Sequence, residues 1–146
     1  MQIDVMQQAD LALVLPIYID YYNCHEGGCW TEATATRRIQ QVMHMDDAYC
    51  LILKDDTGAA CGFVMGYFKQ YDDVVGYTLE EILIAAEHQG KGLGSILLAE
   101  LERRVKEKGA SCVELQAVKD DMHERYYGKA GFKDAKNFVL KVKWFA

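Results

Sequence analysis

The sequence predicts an α/β protein in which helices cover a mixed β-sheet, in the order β-α-α-β-β-β-α-β-α-β. Three observations support this class. Apolar runs of strand length alternate with amphipathic helical segments, turn-forming residues separate them, and a glycine-rich segment connects one apolar run to a helix. The 146 residues are 51% hydrophobic and 26% charged, and no linker or repeat interrupts them. We therefore expect one domain over residues 1–146, large enough for a substantial core.

The chain begins with a strand and two helices. Residues 3–6 form a short apolar run that predicts the first strand. Asp10 is the expected N-cap of a helix that continues to about residue 24, with a break or restart expected at Pro16. Two glycines and polar residues at 23–30 predict a loop, after which Thr31 caps a second helix that ends near residue 45.

Three strands follow and are connected by turns. The apolar segments are residues 49–53, 61–71 and 77–86. Segments containing aspartate and glycine at 55–58 and 72–76 separate them, and such residues are typical of tight turns. We expect a hairpin, then a second turn that leads into the third of these strands.

The C-terminal part contains two more helices and two more strands. Residues 97–105 place leucine and valine at helical spacing, and Gly109 ends that helix. A strand is expected over 112–118 and a short helix over 121–130. Alternating apolar residues at 138–144 predict a final strand.

Charge and hydropathy exclude two classes of partner. The net charge is −6 and no basic run is longer than Arg103-Arg104, so we expect no nucleic-acid partner. No apolar run approaches the roughly 20 residues that span a bilayer, and the N-terminus lacks the pattern of a signal peptide. The expected location is cytoplasmic, without membrane association.

The five cysteines indicate free thiols rather than disulfides or a metal site. An odd number scattered over apparent core strands is typical of a reducing compartment. Cys24-His25 followed by Cys29 has some likeness to a zinc-binding pattern. Because no second ligand pair with matching spacing follows, we expect no metal.

The glycine-rich segment is the most informative part of the sequence. It places three glycines at alternate positions at the start of a helix, in the order Gln89, Gly90, Lys91, Gly92, Leu93, Gly94 and Ser95. Backbone N–H groups of such a bend point at a bound anion, and the helix dipole adds roughly half a positive charge. The pattern therefore predicts a phosphate-binding loop.

Three interpretations of this loop are open. A turn without a ligand needs one or two glycines rather than three. A nucleotide site is the second, but Gly92 after Lys91 breaks a Walker A motif. A dinucleotide fingerprint needs G-x-G-x-x-G and two βαβ halves, whereas this chain has G-x-G-x-G and one βαβ unit. Glu114 does lie about twenty residues downstream, where a ribose-binding acid is expected. The third interpretation comes from a resemblance.

Two separated motifs resemble those of the GNAT superfamily of N-acetyltransferases. Residues 89–94 match its Q/R-x-x-G-x-G/A signature, and residues 125–132 resemble its later signature, an aromatic-Tyr pair followed by x-x-x-Gly-Phe. The apolar run 82–84 resembles the family's central strand. The resemblance covers essentially the whole chain. It implies a GNAT-like fold, acetyl-CoA as co-substrate, no metal, and direct acetyl transfer to an amine without a covalent enzyme intermediate.

The resemblance also implies how acetyl-CoA is held. The amides of residues 90–95 would bind its pyrophosphate, assisted by Gln89. The backbone of Ile82, Leu83 and Ile84 would pair with pantetheine, and the N–H of Ile84 would polarise the thioester carbonyl. A bulge at about residue 85 or 86 would separate this strand from the next one.

Two residues are expected to move protons. Tyr127 matches the tyrosine of the later signature, and its phenol, with a pKa near ~10 against ~8.5 for a thiol, stays protonated and can donate to the departing thiolate. Glu80 matches the acidic position that polyamine-acetylating relatives use as a proton acceptor. It is expected to point to the opposite face of its strand from Glu81. The alternatives are an aromatic packing role for Tyr127 and a solvated Glu80.

The acceptor amine is expected to enter between the first two helices and the sheet, as the resemblance implies. Aromatic and acidic groups there suit a cationic amine through cation–π and ionic contacts. The candidates are Tyr22, His25, Glu26, Trp30 and Glu81. A small polyamine-like molecule or another cationic amine is the expected acceptor, with a protein amine as the other option. The final strand, with Trp144 and Phe145, offers an edge for a homodimer.

One residue departs from the family pattern. Seven residues before Tyr127, where the family often has an asparagine at the cofactor, this chain has Asp120. Because an acid does not suit phosphates, we expect Asp120 to point elsewhere. The competing class of function is a non-catalytic acyl-CoA-binding sensor on the same fold, and the presence of both Glu80 and Tyr127 argues against it. A dinucleotide-binding oxidoreductase ranks third.

Overall fold

The computed structural model describes all of residues 1–146 and contains two compact units, residues 1–116 and residues 117–146. The first unit contains, in chain order, β1 (Gln2–Val5), α1 (Leu11–His25), α2 (Glu32–Met43), β2 (Leu51–Lys54), β3 (Ala60–Gln70), β4 (Val75–Ile84), α3 (Leu93–Glu107) and β5 (Cys112–Leu115). Single 3-10 turns precede α1 and α3, at Gln8–Asp10 and Ala86–His88. The second unit contains α4 (Asp121–Lys129). None of the helices has the length and apolar character that crossing a membrane requires.

The five strands form one mixed sheet in the order β1-β2-β3-β4-β5. Neighbouring strands are antiparallel except β4 and β5, which are parallel and connected by α3. Helices α1 and α2 pack over a core that includes Tyr18, Ile39, Phe63 and Met65. The buried side of α3 packs against β3 and β4 outside that cluster. The mixed α/β class and the order of elements through α4 are thus confirmed.

Glu80 forms a bulge in β4. Met65 of β3 pairs with Glu81, and the next residue, Gly66, pairs with Leu79, which leaves Glu80 without a partner in β3. The expected bulge at residue 85 or 86 is therefore wrong in position. The expectation that the two glutamates point to opposite faces is also wrong, because an extra residue breaks the alternation of a regular strand. Both carboxylates contact the same arginine of α2.

The structure confirms both predicted N-cap positions, but only one of the two side chains makes a capping hydrogen bond. Thr31 caps α2, where its Oγ1 accepts a hydrogen bond from the Thr34 N–H at 3.1 Å. Asp10 is the N-cap residue of α1, as predicted, but its side chain makes no capping hydrogen bond. It accepts hydrogen bonds from the Gln7 N–H at 2.8 Å and the Lys54 Nζ at 3.0 Å instead. Helix α1 continues through Pro16 without the expected break. The proline costs the helix one N–H donor, and the remaining fourteen residues of the 15-residue helix sustain it.

In the second unit, α4 forms where the sequence predicts it, and the expected final strand does not form. Asp120 caps α4 by accepting a hydrogen bond from the His123 N–H at 2.8 Å. Residues 138–144 have no regular structure, although their apolar residues alternate. A strand needs a neighbour for its N–H and C=O groups, and the unit of residues 117–146 has no other strand of its own. Strand β5 likewise ends at Leu115, before the predicted residue 118.

Candidate active site

The glycine loop presents bare backbone at the start of α3. Gly90 and Gly92 have φ of 77° and 78°, the left-handed region that favours glycine. A Cβ placed on either would meet nothing within 4 Å, so the loop faces open space. No side chain caps α3, and its first intrahelical hydrogen bond runs from the Ile96 N–H to the Gly92 oxygen at 3.1 Å. The N-terminus of α3 thus has no side-chain cap, and its dipole attracts an anion there.

Gln89 connects the loop to the end of β4. Its side-chain Nε2 donates a hydrogen bond to the Ile84 carbonyl oxygen at 2.9 Å. The side chain therefore fixes the position of the loop relative to the strand. Lys91 and Ser95 are exposed beside it, and Leu93 is buried in the core under α3.

Beyond residue 79, the outer side of β4 has no β5 partner. Pairing with β5 ends at Leu79 and Leu115, whereas β4 continues to Ile84. The Ala85 N–H donates to the Cys61 carbonyl oxygen of β3 at 2.8 Å. Because backbone groups of an antiparallel strand alternate in direction, those of residues 82 and 84 point away from β3, toward the open side. The Ile84 oxygen among these groups is taken by Gln89, and the N–H groups of Ile82 and Ile84 and the Ile82 oxygen remain directed away from β3 beside the glycine loop.

Glu81 lies at the centre of a buried polar cluster under α1 and α2. Only 8% of the residue is exposed. Its two carboxylate oxygens accept hydrogen bonds from the hydroxyls of Tyr18 at 3.1 Å and Tyr22 at 2.5 Å, and the Arg38 Nε lies 3.4 Å away. Burial raises the pKa of the Glu81 carboxyl, and the hydrogen bond from Tyr22 and the charge of Arg38 offset part of this effect. Burial and the negative charge of Glu81 together raise the pKa of both tyrosines well above 10, so they remain hydrogen-bond donors.

Glu80 is the more accessible of the two adjacent carboxylates. Its Oε2 lies 3.1 Å from the Nη2 of Arg38, and both side chains are 30% exposed. Glu80 stands on the bulge, immediately after the last residue of β4 that pairs with β5. The carboxylate of Glu80 therefore keeps partial access to solvent while it contacts Arg38.

Most of the predicted acceptor residues lie around this cluster. The Trp30 ring contacts the rings of Tyr18 and Tyr22, with centroids 5.0 and 6.3 Å apart, and Glu26 adds negative charge near Tyr22. His25 instead packs on the ring of Tyr21, 5.5 Å away.

Sequence reasoning missed two members of the cluster, Tyr18 and Arg38. Tyr18 was detectable, because it precedes Tyr22 by one helical turn and therefore lies on the same face of α1. No local pattern distinguishes Arg38 from Arg37, its neighbour in α2.

The alternative role considered for Glu114 is occupied by other contacts. Its carboxylate accepts hydrogen bonds from the Tyr71 hydroxyl at 2.7 Å and the Thr78 hydroxyl at 3.0 Å, and Lys69 Nζ lies 3.5 Å away. These three partners lower the pKa of Glu114 even though burial opposes them. An acid engaged in this way does not serve as a ribose-binding residue, which weakens the dinucleotide interpretation.

Tyr127 lies in α4 of the second unit, among aromatic rings. Its ring centroid is 4.9 Å from that of Tyr126, 5.6 Å from that of Phe132 and 6.4 Å from that of His123. The Phe132 N–H donates to the Tyr127 carbonyl oxygen at 3.0 Å, which fixes the end of the helix. Asp120 is held by the amide and ring of His123, at 2.8 and 2.7 Å, so it points at its own helix, as expected.

Comparisons with known proteins bear on this arrangement. A family model described as the acetyltransferase (GNAT) family matches residues 14–132. A curated relative, the uncharacterized N-acetyltransferase YobR of Bacillus subtilis (strain 168), is 31% identical over 90 residues, which are 53% of this chain and 36% of the relative. The chain thus spans little more than a third of that relative's length.

Solved structures share the fold at low sequence identity. A probable acetyltransferase aligns with a TM-score of 0.83 and 16% identity, covering 100% of this chain and 99% of that one. The ribosomal-protein-alanine N-acetyltransferase from Brucella melitensis biovar Abortus 2308 aligns with a TM-score of 0.77 and 17% identity, covering 99% and 100%. At these identities the likeness shows the fold alone.

Proposed function

Because the chain belongs to the acetyltransferase (GNAT) family, we propose that it transfers the acetyl group of acetyl-CoA directly to a primary amine of a small cationic molecule. The acyltransferase class follows from the family, for which acetyl-CoA is the typical co-substrate. One observation carries the finer proposal: the open side of β4 adjoins a bare glycine loop at a helix N-terminus. Coenzyme A has an extended pantetheine arm that ends in a diphosphate, so its binding needs an unpaired strand edge next to an anion-binding loop.

The proposed binding of acetyl-CoA uses main-chain groups. The amides of residues 90–95 and the α3 dipole bind the pyrophosphate. The N–H and C=O of Ile82, which point away from β3, pair with the amides of pantetheine as a neighbouring strand would, while Leu83 directs its own backbone groups at β3. The N–H of Ile84 then polarises the thioester carbonyl and stabilises the charge that develops on its oxygen. Gln89 acts by holding the loop against Ile84.

Glu80 is the proposed proton acceptor for the incoming amine. A primary ammonium has a pKa near ~10.4 and must lose a proton before it attacks the thioester. Glu80 is accessible, and its contact with Arg38 orients the carboxylate. Glu81, with both oxygens held by tyrosines, positions Tyr22 and Arg38 and supplies negative charge to the acceptor subsite.

Tyr127 is the proposed proton donor to the thiolate of coenzyme A. The assignment comes from its place in the Tyr-x-x-x-Gly-Phe pattern together with the acidity of a phenol, which stays protonated at neutral pH. Because transfer is direct, no cysteine becomes acylated in this scheme.

The proposed acceptor subsite consists of Tyr22, Trp30, Glu26 and His25, with Glu81 behind them. Aromatic faces and net negative charge favour a cationic amine over a neutral or anionic one. The same features suit a polyamine better than a protein N-terminus, because a polyamine retains a second positive charge after the reacting nitrogen is deprotonated.

The test combines calorimetry with coenzyme A and an assay of thiol release from acetyl-CoA over a panel of amines that includes polyamines, amino acids and a peptide N-terminus. We expect binding of coenzyme A, and thiol release with small cationic amines. Tyr127→Phe should lower turnover by about 10²–10⁴-fold with coenzyme A affinity retained. Tyr126→Phe is the matched control.

Each failure of this test has a distinct meaning. Binding of coenzyme A without thiol release for any amine would indicate the sensor alternative. Acetylation of the peptide alone would contradict the small-molecule acceptor. If the unmodified protein does not bind coenzyme A at all, the proposal as a whole is contradicted.

A further inference from the structure

Three residues with metal-ligating side chains meet at one end of the sheet in the first unit. Asp55 starts the turn between β2 and β3, Cys61 lies near the start of β3, and His88 ends the 3-10 turn after β4. One ligand atom of each lies within 4.8 Å of the other two. Neither the acetyl-transfer scheme nor the acceptor subsite uses any of them.

The backbone around these residues is held by hydrogen bonds. The Asp55 N–H donates to the Ala59 oxygen at 2.9 Å, which closes the hairpin turn. The Ala85 N–H donates to the Cys61 oxygen at 2.8 Å, and the His88 N–H donates to the Ala85 oxygen at 2.8 Å. Register between strands therefore fixes where the three side chains meet.

Each of the three side chains retains a donor atom for an ion. The Asp55 Oδ1 accepts three hydrogen bonds, from the Thr57 N–H, the Thr57 hydroxyl and the Ala59 N–H, and none of them uses Oδ2. The Cys61 thiol has only a weak contact with the Ala59 oxygen, at 3.8 Å. No hydrogen bond or ion pair engages the imidazole of His88.

Accessibility favours an ion over a covalent role for the cysteine. Cysteine, histidine and aspartate also compose nucleophilic triads, but Cys61 is 0% exposed and offers no approach for an acyl group. Asp55 and His88 are partly exposed, so a small ion can enter from their side.

We propose that Asp55, Cys61 and His88 bind one divalent transition-metal ion of the zinc type. A thiolate, an imidazole and a carboxylate are the donors that Zn²⁺ takes, whereas Mg²⁺ and Ca²⁺ prefer oxygen alone. Thiolate and carboxylate together balance the charge of the ion. Bonds of about 2.0–2.3 Å in tetrahedral geometry place ligand atoms roughly 3.3–3.8 Å apart. Side-chain rotations that move each ligand atom by about an ångström would therefore bring the three atoms to these distances. Water takes the fourth position.

Cobalt provides the direct test, because a thiolate bound to Co²⁺ gives a charge-transfer absorption that oxygen and nitrogen ligands do not give. The metal-free 146-residue chain is titrated with Co²⁺, then with Zn²⁺. We expect a thiolate band that saturates at one ion per chain and disappears when Zn²⁺ displaces cobalt. Cys61→Ser should abolish the band, and His88→Asn should weaken zinc affinity at least tenfold.

The control is the double variant Cys24→Ser/Cys29→Ser, which removes two exposed thiols near another histidine and should keep the band. His88→Asn changes a partly exposed side chain, so it tests the site even if Cys61→Ser does not fold. The proposal is overturned if no thiolate band forms, if the band survives Cys61→Ser, or if the double variant loses it. Unchanged zinc affinity in His88→Asn would overturn it as well.

Discussion

The contact of Arg38 with two glutamates predicts a measurable loss of stability when its charge is removed. Arg38→Met retains most of the apolar stem of the side chain and deletes the guanidinium. Glu81, which is 8% exposed, would keep its hydrogen bonds from Tyr18 and Tyr22 but lose its counter-ion. The substitution therefore leaves a buried negative charge that is only partly compensated.

The size of the effect follows from the exposure of the two ion pairs. Removing one partner of a buried ion pair costs about 3–5 kcal/mol, whereas an exposed pair contributes about 0–1 kcal/mol. The side chains of Arg38 and Glu80 are both 30% exposed, so we assign their ion pair a contribution close to that of an exposed pair. The 3.4 Å contact with Glu81 lies between the two ranges, because two tyrosine hydroxyls still solvate that carboxylate. We expect the free energy of unfolding to fall by about 2–3 kcal/mol at pH 7.

The loss should also depend on pH. Burial raises the pKa of Glu81 above the ordinary value of 4.5, and removal of Arg38 would raise it further. When the pKa of an acid is higher in the folded state, that state binds the proton more readily, and stability falls as pH rises from the unfolded pKa through the folded pKa. Arg38→Met extends this range of pH upward. The cost of the substitution should therefore be larger at pH 7 than at pH 5.

Urea denaturation followed by circular dichroism at the two pH values measures both effects. Arg37→Met, at the exposed neighbouring position, is the matched control and should change the free energy of unfolding by less than about 0.5 kcal/mol. Equal losses for the two variants, or a larger loss for Arg38→Met at pH 5, would refute the assigned role of the buried carboxylate.

Three further outcomes are expected. Glu80→Gln should lower turnover by about 10²–10⁴-fold in the thiol-release assay, whereas Glu107→Gln should leave it unchanged. Full activity of Glu80→Gln would exclude Glu80 as the base. Gly92→Ala should lower the free energy of unfolding by about 1–2 kcal/mol in a urea titration, because alanine is strained at φ 78°. The control Ser95→Ala should change the free energy little. An unchanged free energy in Gly92→Ala would contradict the strain argument. Asp120→Ala should speed hydrogen exchange in the first turn of α4 through the loss of a cap of about 1 kcal/mol, and unchanged exchange would contradict the capping contact.

Features that depend on neighbouring residues in the sequence were predictable. The glycine loop and the start of α3 follow from spacing within seven residues, and the cap at Thr31 follows from residue type and position. The central strands follow from alternation and turn residues, with ends that differ from the structure by one or two residues at most positions. In each case the determining interactions lie within one or two turns of chain.

Features that depend on register between distant segments were not predictable. The bulge at Glu80 is set by how β3 pairs with β4, and no pattern within β4 reveals it. Arg38 reaches the two glutamates across 42 and 43 residues of sequence. The run at 138–144 alternates as a strand does, but alternation does not provide a hydrogen-bonding neighbour. His88 meets Cys61 only because the sheet brings the ends of β3 and β4 together.

The hydrogen bond from the Gln89 side chain to the Ile84 oxygen fixes the distance between the glycine loop and the end of β4. In the proposed binding mode, the loop that would bind phosphate therefore lies at a fixed distance from the main chain that would align the thioester. A coenzyme with a longer or shorter arm would then bind with its reactive end out of alignment, whatever its affinity. On the proposed binding mode, selectivity for arm length would depend on this one amide side chain.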